Sequence, residues 1–165
     1  MARAVLITGG NVGNAEATLA EAAQLIAAEV GAIECASRIY RTKAWGFEAE
    51  DFRNQVLVVE SGLEPMEMLA TVNDIERRLG RDREREQDEK SATGARYASR
   101  SIDIDILFYD DLVVESERLT LPHPRIAERE FVLEPLSEVA AEWRHPVSGK
   151  RVEEMYEELK AKRRY

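Results

Sequence analysis

This sequence predicts an α+β sandwich: a ferredoxin-like βαββαβ unit with an antiparallel sheet, helices packed on it and a C-terminal extension. Three observations predict it. Two segments, 15–30 and 64–80, carry apolar residues at helical spacing. Two strand-like runs, 33–42 and 52–61, stand between them and are close enough to pair around the loop 43–51. A further run, "SIDIDILFY" at 101–109, alternates strictly at its centre, as a strand with one buried face does.

Taken in order, "AVLIT" (4–8) reads as a buried strand and "GGNVGN" (9–14) as a turn built for unusual backbone angles. The alanine-rich helix 15–30 places Leu19, Ala23, Ile26 and Val30 on one stripe, and Gly31 ends it. The second and third strands follow; the third, "FRNQVLVVES", is β-branched and aromatic. The helix 64–80 has Pro65 in its first turn, Gly80 after its end, and the stripe Met68, Leu69, Val72, Ile75 and Leu79. Residues 81–98 are charged with both signs and lack apolar periodicity, so they read as a mobile loop before the 101–109 strand. Beyond residue 110 lies a tail of short elements, then "HPVSGK" and a charged helix to Tyr165. No boundary is visible, and 1–165 reads as a single domain.

Composition excludes several classes. With 165 residues, 44% of them hydrophobic, the chain can bury a sizeable core. A net charge of −9 argues against a general nucleic-acid binder, although a local arginine cluster with a metal can still hold a triphosphate. Cys35 is the one cysteine, so no internal disulfide forms. No apolar run suits a signal peptide or a membrane span, and the expected setting is the cytoplasm.

The chemistry concentrates at 100–105. Asp103 and Asp105 point to one face of their strand, with roots ~6–7 Å apart, while Ile102, Ile104 and Ile106 point into the core. Two like charges so close repel, and a dication beside them turns the repulsion into binding. Magnesium suits the pair, because it takes carboxylate oxygen and shares its shell with phosphates and water. A bare D-x-D is more often a solvent-facing strand than a metal site. Here Arg100 precedes the pair, an apolar run follows it, and the 81–98 loop with its arginines feeds into it. That loop has two open readings, a solvated charge run and a lid over phosphates. In "LTLPHPR", Pro122 and Pro124 bracket His123, which reads either as a turn residue or as a fixed imidazole donating to phosphate. His145 reads as turn structure. "GGNVGN" is neither G-x-G-x-x-G nor a P-loop, and serves equally as a turn admitting a flat ligand.

These pieces, in this order, resemble the 6-hydroxymethyl-7,8-dihydropterin pyrophosphokinase family of folate biosynthesis. The resemblance runs from "LITGGNVGN" to "HPVSGK" and is carried by "GGNVGN", "YRTKAWGF", "DFRNQVLVVE", "IERRLGR", "RYASRSIDIDILFYDD" and "RLTLPHPRIAEREFVLEPL". It implies transfer of pyrophosphate from ATP to the pterin's hydroxymethyl group with release of AMP, two Mg²⁺ ions, and a monomer working on small molecules without nucleic acid or membrane. Asp103 and Asp105 match the family's metal ligands, and Arg100 its phosphate-binding arginine. Arg83 and Tyr97 match its mobile-loop arginine and aromatic. Asn73, Glu76, Ile106, Arg118, Leu119, Thr120, His123 and Arg129 match its ATP site. Thr42, Ala44, Trp45, Phe52, Asn54 and Phe131 match its pterin pocket. A flat pterin suits two aromatic faces and an amide that both donates and accepts at its edge. The chain departs from the family at Gly10, where serine is usual, at Ala44 and Ser99, where proline is common, and in a longer 83–97 loop. The rival readings are a ferredoxin-like ligand-sensing module and another Mg-dependent nucleotidyl transferase or phosphohydrolase.

Overall fold

A computed structural model describes residues 1–42, 51–80 and 102–163. The elements along the chain are β1 (Ala2–Gly10), α1 (Ala15–Glu29), β2 (Ala32–Ala36), β3 (Tyr40–Thr42), β4 (Phe52–Ser61), α2 (Pro65–Arg78), β5 (Asp103–Tyr109), β6 (Val114–Glu115), β7 (Thr120–Leu121), a 3₁₀ turn (Ile126–Glu128), α3 (Glu130–Ala140) and α4 (Val152–Arg163). The sheet runs β2-β4-β1-β5, with every pairing antiparallel and β3 alongside β4. This is the strand order that a split βαββαβ chain generates, and the predicted α+β class holds.

One sheet face packs under α1 and α2. Leu6, Leu57, Val59, Ile102, Ile104 and Ile106 meet Leu19, Ala22, Ile26, Met68, Val72 and Ile75 there. The isoleucines of β5 thus lie where their alternation predicts. The opposite face is also covered: Val5, Ile7, Val56, Val58 and Phe108 pack against Val132, Leu133, Leu136, Val152 and Met155 of α3 and α4. The C-terminal extension is therefore a third layer that closes the second face, and it leaves the Asp103 end of that face to the site described below.

Three local features differ from the sequence reading. β1 runs through Gly9 and Gly10, because β4 supplies partners as far as Arg53; the turn begins only at Asn11, with Gly13 at φ 64°. The predicted strand 33–42 is broken in two. Ser37 takes over at the break: its N–H donates to the Val56 carbonyl at 2.9 Å, and its hydroxyl accepts from the Val56 N–H at 2.9 Å. The loop 43–51 lies outside the described residues except for Asp51. Gly31, read only as the end of α1, is also a point of close approach, since a Cβ there would run into the Glu60 carbonyl and sit 2.9 Å from Ser61 Cα. Gly80, at φ 98°, does take the left-handed role after α2.

His145 holds the turn before α4. Its Nδ1 accepts the Val147 and Ser148 N–H groups, each at 3.2 Å, and its ring stands edge-on to Phe108. Burial lowers its pKa below the ordinary histidine value of 6.5. The folded protein therefore binds fewer protons here than the unfolded chain, so stability is complete above that value and declines as pH falls through it. Thermal melts between pH 7 and pH 5 are expected to show a falling Tm. His145→Asn keeps an acceptor oxygen and is expected to flatten part of that slope; an unchanged slope counts against this account.

Candidate active site

The site is built on the end of the sheet that α3 and α4 leave uncovered. Directly paired residues of an antiparallel sheet share a face. The register sets Tyr40, Asn54, Gly9 and Asp103 in one row across β3, β4, β1 and β5. Asp105 stands in the next row toward the core, opposite Ile7, which pairs in turn with Val56. Phe52, two residues from Asn54 and opposite Thr42, lies on the same face. Gly9 gives the row its flat floor: a Cβ there would lie 2.5 Å from Asn54 Oδ1.

Asp103 and Asp105 are half-buried; Asp103 begins β5, paired to Gly9, and Asp105 lies within the strand, paired to Ile7. The open edge of β5 beside them is occupied from two directions. The Glu76 carboxylate on α2, only 2% exposed, accepts the Ile104 N–H at 2.8 Å. From the other direction the His123 N–H donates to the Leu107 carbonyl at 2.9 Å. Glu76 thus helps fix the strand that holds the acids, and Asn73 sits half-buried one turn before it on α2. The hairpin β6–β7 brings Arg118 and Thr120, both exposed, to the flank of β5.

The His123 imidazole has one clear tautomer. Its Nδ1 accepts the Arg125 N–H at 3.2 Å, which leaves the proton on Nε2 as a donor. Burial is the main cause of its lowered pKa; the Arg129 charge adds to the effect and the Asp103 charge opposes it. At neutral pH the ring is therefore an uncharged donor, set in the fields of both Arg129 and Asp103. Arg129 in turn lays its guanidinium over the Phe131 ring, 5.5 Å from the centroid. Phe131 opens α3 and is 38% exposed, so it is an aromatic face turned outward rather than a core side chain.

The candidates divide into two halves with the acids between them. Thr42, Phe52 and Asn54 lie on the β3/β4 side. Asn73, Glu76, Arg118, Thr120 and His123 lie along the β5 edge. Two candidates differ in aim. The Ile106 and Leu119 side chains are buried in the α1/α2 core, so only their main chains remain to meet a ligand. Ala44, Trp45, Arg83, Tyr97 and Arg100 lie outside the described residues. Among the described residues, no cluster of three or more His, Cys, Asp or Glu side chains forms a closed metal cage. The donor set is a pair of hard carboxylates, which fits a magnesium ion whose shell is completed by phosphate and water. Sequence reading missed Gly9 as the floor of the row; the signal was a glycine pair continuing the period of a buried strand.

An α+β sandwich that sets two strand carboxylates between an aromatic-amide half and an edge carrying Arg118, Thr120 and His123 offers the groups that a phosphoryl-transferring enzyme uses. The chain belongs to the 7,8-dihydro-6-hydroxymethylpterin-pyrophosphokinase (HPPK) family, whose family model matches residues 5–141. It is 39% identical over 148 residues to 2-amino-4-hydroxy-6-hydroxymethyldihydropteridine pyrophosphokinase of Porphyromonas gingivalis, covering 88% of this chain and 95% of that one. The protein of the same name from Methylorubrum extorquens is 41% identical over 142 residues, covering 85% and 84% respectively. The Synechocystis protein is 36% identical over 160 residues, covering 94% and 75%. Among solved structures, a Plasmodium falciparum HPPK-DHPS chain superposes with a TM-score of 0.74 at 18% identity, a likeness of fold. This chain is covered to 98% in that match but spans only 42% of the longer one. The protein is accordingly an enzyme, a pyrophosphokinase of folate biosynthesis with ATP as co-substrate. No described helix is long and apolar enough to cross a membrane.

Proposed function

We propose that the site works as follows, with Asp103 and Asp105 as ligands of two Mg²⁺ ions. The carrying observation is the position of two half-buried carboxylates on β5, between an aromatic-amide half on β3 and β4 and an edge that carries Arg118, Thr120 and the His123 donor. Bound there, magnesium neutralises phosphate charge and orients the triphosphate. The pterin stacks between Phe52 and Phe131, with its polar edge on Asn54 and on the main chain from Thr42 through Ala44 to Trp45. ATP lies along the β5 edge. His123 Nε2–H, Arg129 and Arg100 donate to its phosphates, and Arg83 and Tyr97 are further candidates to meet the nucleotide. Asn73, Glu76, Ile106, Arg118, Leu119 and Thr120 frame the nucleoside.

In the reaction the pterin's hydroxymethyl oxygen forms a bond to the β-phosphorus of ATP. The bond from that phosphorus to the oxygen bridging the α-phosphate breaks, AMP leaves, and the hydroxyl proton is released. Holding the two substrates in line and cancelling charge account for most of the rate in such transfers. No side chain need act as a strong base. The chain is proposed to work as a monomer and a single unit over 1–165, because every group invoked comes from one chain, and in the cytoplasm, where an exposed free thiol such as Cys35 stays reduced.

The test is product analysis. ATP, magnesium and the pterin alcohol together should yield AMP and the pterin diphosphate in equal amounts. ADP as product, or nucleotide turnover that ignores the pterin, would overturn the reading in favour of another transferase or a phosphohydrolase.

A further inference from the structure

Glu138 is an acid that the reaction above does not use. It lies near the end of α3, the helix whose first turn carries Phe131. One of its carboxylate oxygens accepts the Arg38 main-chain N–H at 2.9 Å. The other accepts the Tyr40 hydroxyl at 2.6 Å and Arg38 Nε at 3.2 Å. Arg38 also donates from Nη2 to the Tyr40 oxygen at 3.1 Å and lies over that ring, 4.9 Å from its centroid. Arg38 stands in the break between β2 and β3, Tyr40 begins β3 in the row of Asn54, and β3 ends at Thr42 opposite Phe52. One carboxylate thus joins the helix of one aromatic to the short strand that flanks the other.

An ion pair this exposed, with the Arg38 side chain 76% accessible, adds little to stability by itself. What distinguishes it is the number and direction of its bonds. A main-chain N–H, a phenol and a guanidinium converge on one acid, and charge-assisted bonds of this kind fix relative orientation. β3 is three residues long and is held on its other side by β4 alone. Without a second anchor, such a strand has few bonds to set its distance from α3.

We propose that Glu138 is a positioning residue of the pterin subsite, clamping β3 to α3 so that Phe52 and Phe131 stand one pterin thickness apart. The proposal rests on the stacking role given to those two rings, and its test separates the two ideas. Steady-state kinetics with each substrate varied in turn should show that Glu138→Ala raises the KM for the pterin alcohol about tenfold, as displaced positioning groups do, with the KM for ATP within twofold. Glu138→Gln retains an acceptor oxygen and should restore most of the loss. Tyr40→Phe removes only one bond of the clamp and should shift the pterin KM in the same direction, which keeps the proposal testable should Glu138→Ala fold poorly. If Glu138→Ala and Tyr40→Phe leave the pterin KM within twofold, or move both substrates' KM values alike, the proposal fails. Phe131→Ala serves as the reference. If it too leaves the pterin KM unchanged, the stacking reading fails; if it alone raises the value, only the clamp fails.

Discussion

Asp103→Asn and Asp105→Asn are each expected to lower turnover ~10³-fold or more, a loss of about 4 kcal/mol in transition-state stabilisation. The substitution keeps the shape of the side chain and replaces an anionic oxygen by a neutral amide. Both positions lie within β5, paired to Gly9 and Ile7, and both side chains are half-buried. The strand is therefore held by its ladder and by Ile102, Ile104 and Ile106 in the core, none of which the change touches. Circular dichroism should remain that of the parent. The second readout is linkage. A ligand at a hundred times its Kd stabilises the fold by about 2.7 kcal/mol, so ATP with magnesium should raise the parent's Tm by several degrees and the variants' by much less. A variant that retains turnover within tenfold of the parent, with the same response to magnesium, would remove the acids from the metal site.

The legible parts of this molecule are those governed by local periodicity. The alternation at 102–106 assigned both faces of β5, and the stripes on α1 and α2 named Leu19, Ile26, Met68, Val72 and Ile75 of the core, while Ala22 and Glu76 are buried as well and Ala23, Leu69 and Leu79 only in part. The C-terminal layer was harder to see. Pro135 lies inside α3 and lacks the N–H that a helix uses, so the segment 130–140 read as part of a tail of short elements. Its buried side chains nevertheless close the second face. The break between β2 and β3 was hidden for a related reason: a serine hydroxyl there replaces a main-chain partner, and no hydropathy pattern records that substitution. Arg100, Asp103, Asp105 and His123 were singled out from local pattern, and the other candidates between Thr42 and Phe131 by family resemblance, but their meeting depends on pairings between strands distant in the chain. Asn54, Gly9 and Asp103 are neighbours only through the β4–β1–β5 register.

That register makes Gly9 the position where the smallest change should act most selectively on one substrate. Gly9→Ala is expected to raise the KM for the pterin alcohol ~10²-fold, the scale of effect that about 1 Å of misplacement causes in an oriented site. The new Cβ would stand 2.5 Å from Asn54 Oδ1 and 3.4 Å from the Arg53 carbonyl. The main chain of β4 is held by its ladder to β1 from Arg53 to Ser61, so it is the Asn54 carboxamide that must rotate away. Asn54 is only 7% exposed, and its amide would then leave the position proposed for it at the pterin edge. The alanine suits strand backbone, because Gly9 is not among the glycines at positive φ, so the fold should survive. In the proposed arrangement ATP lies on the far side of the acids from Asn54, and its KM should move less than threefold. Equal losses for both substrates would mean that the methyl group disturbs the strand as a whole. An unchanged pterin KM would show that the Asn54 amide does not hold the pterin edge.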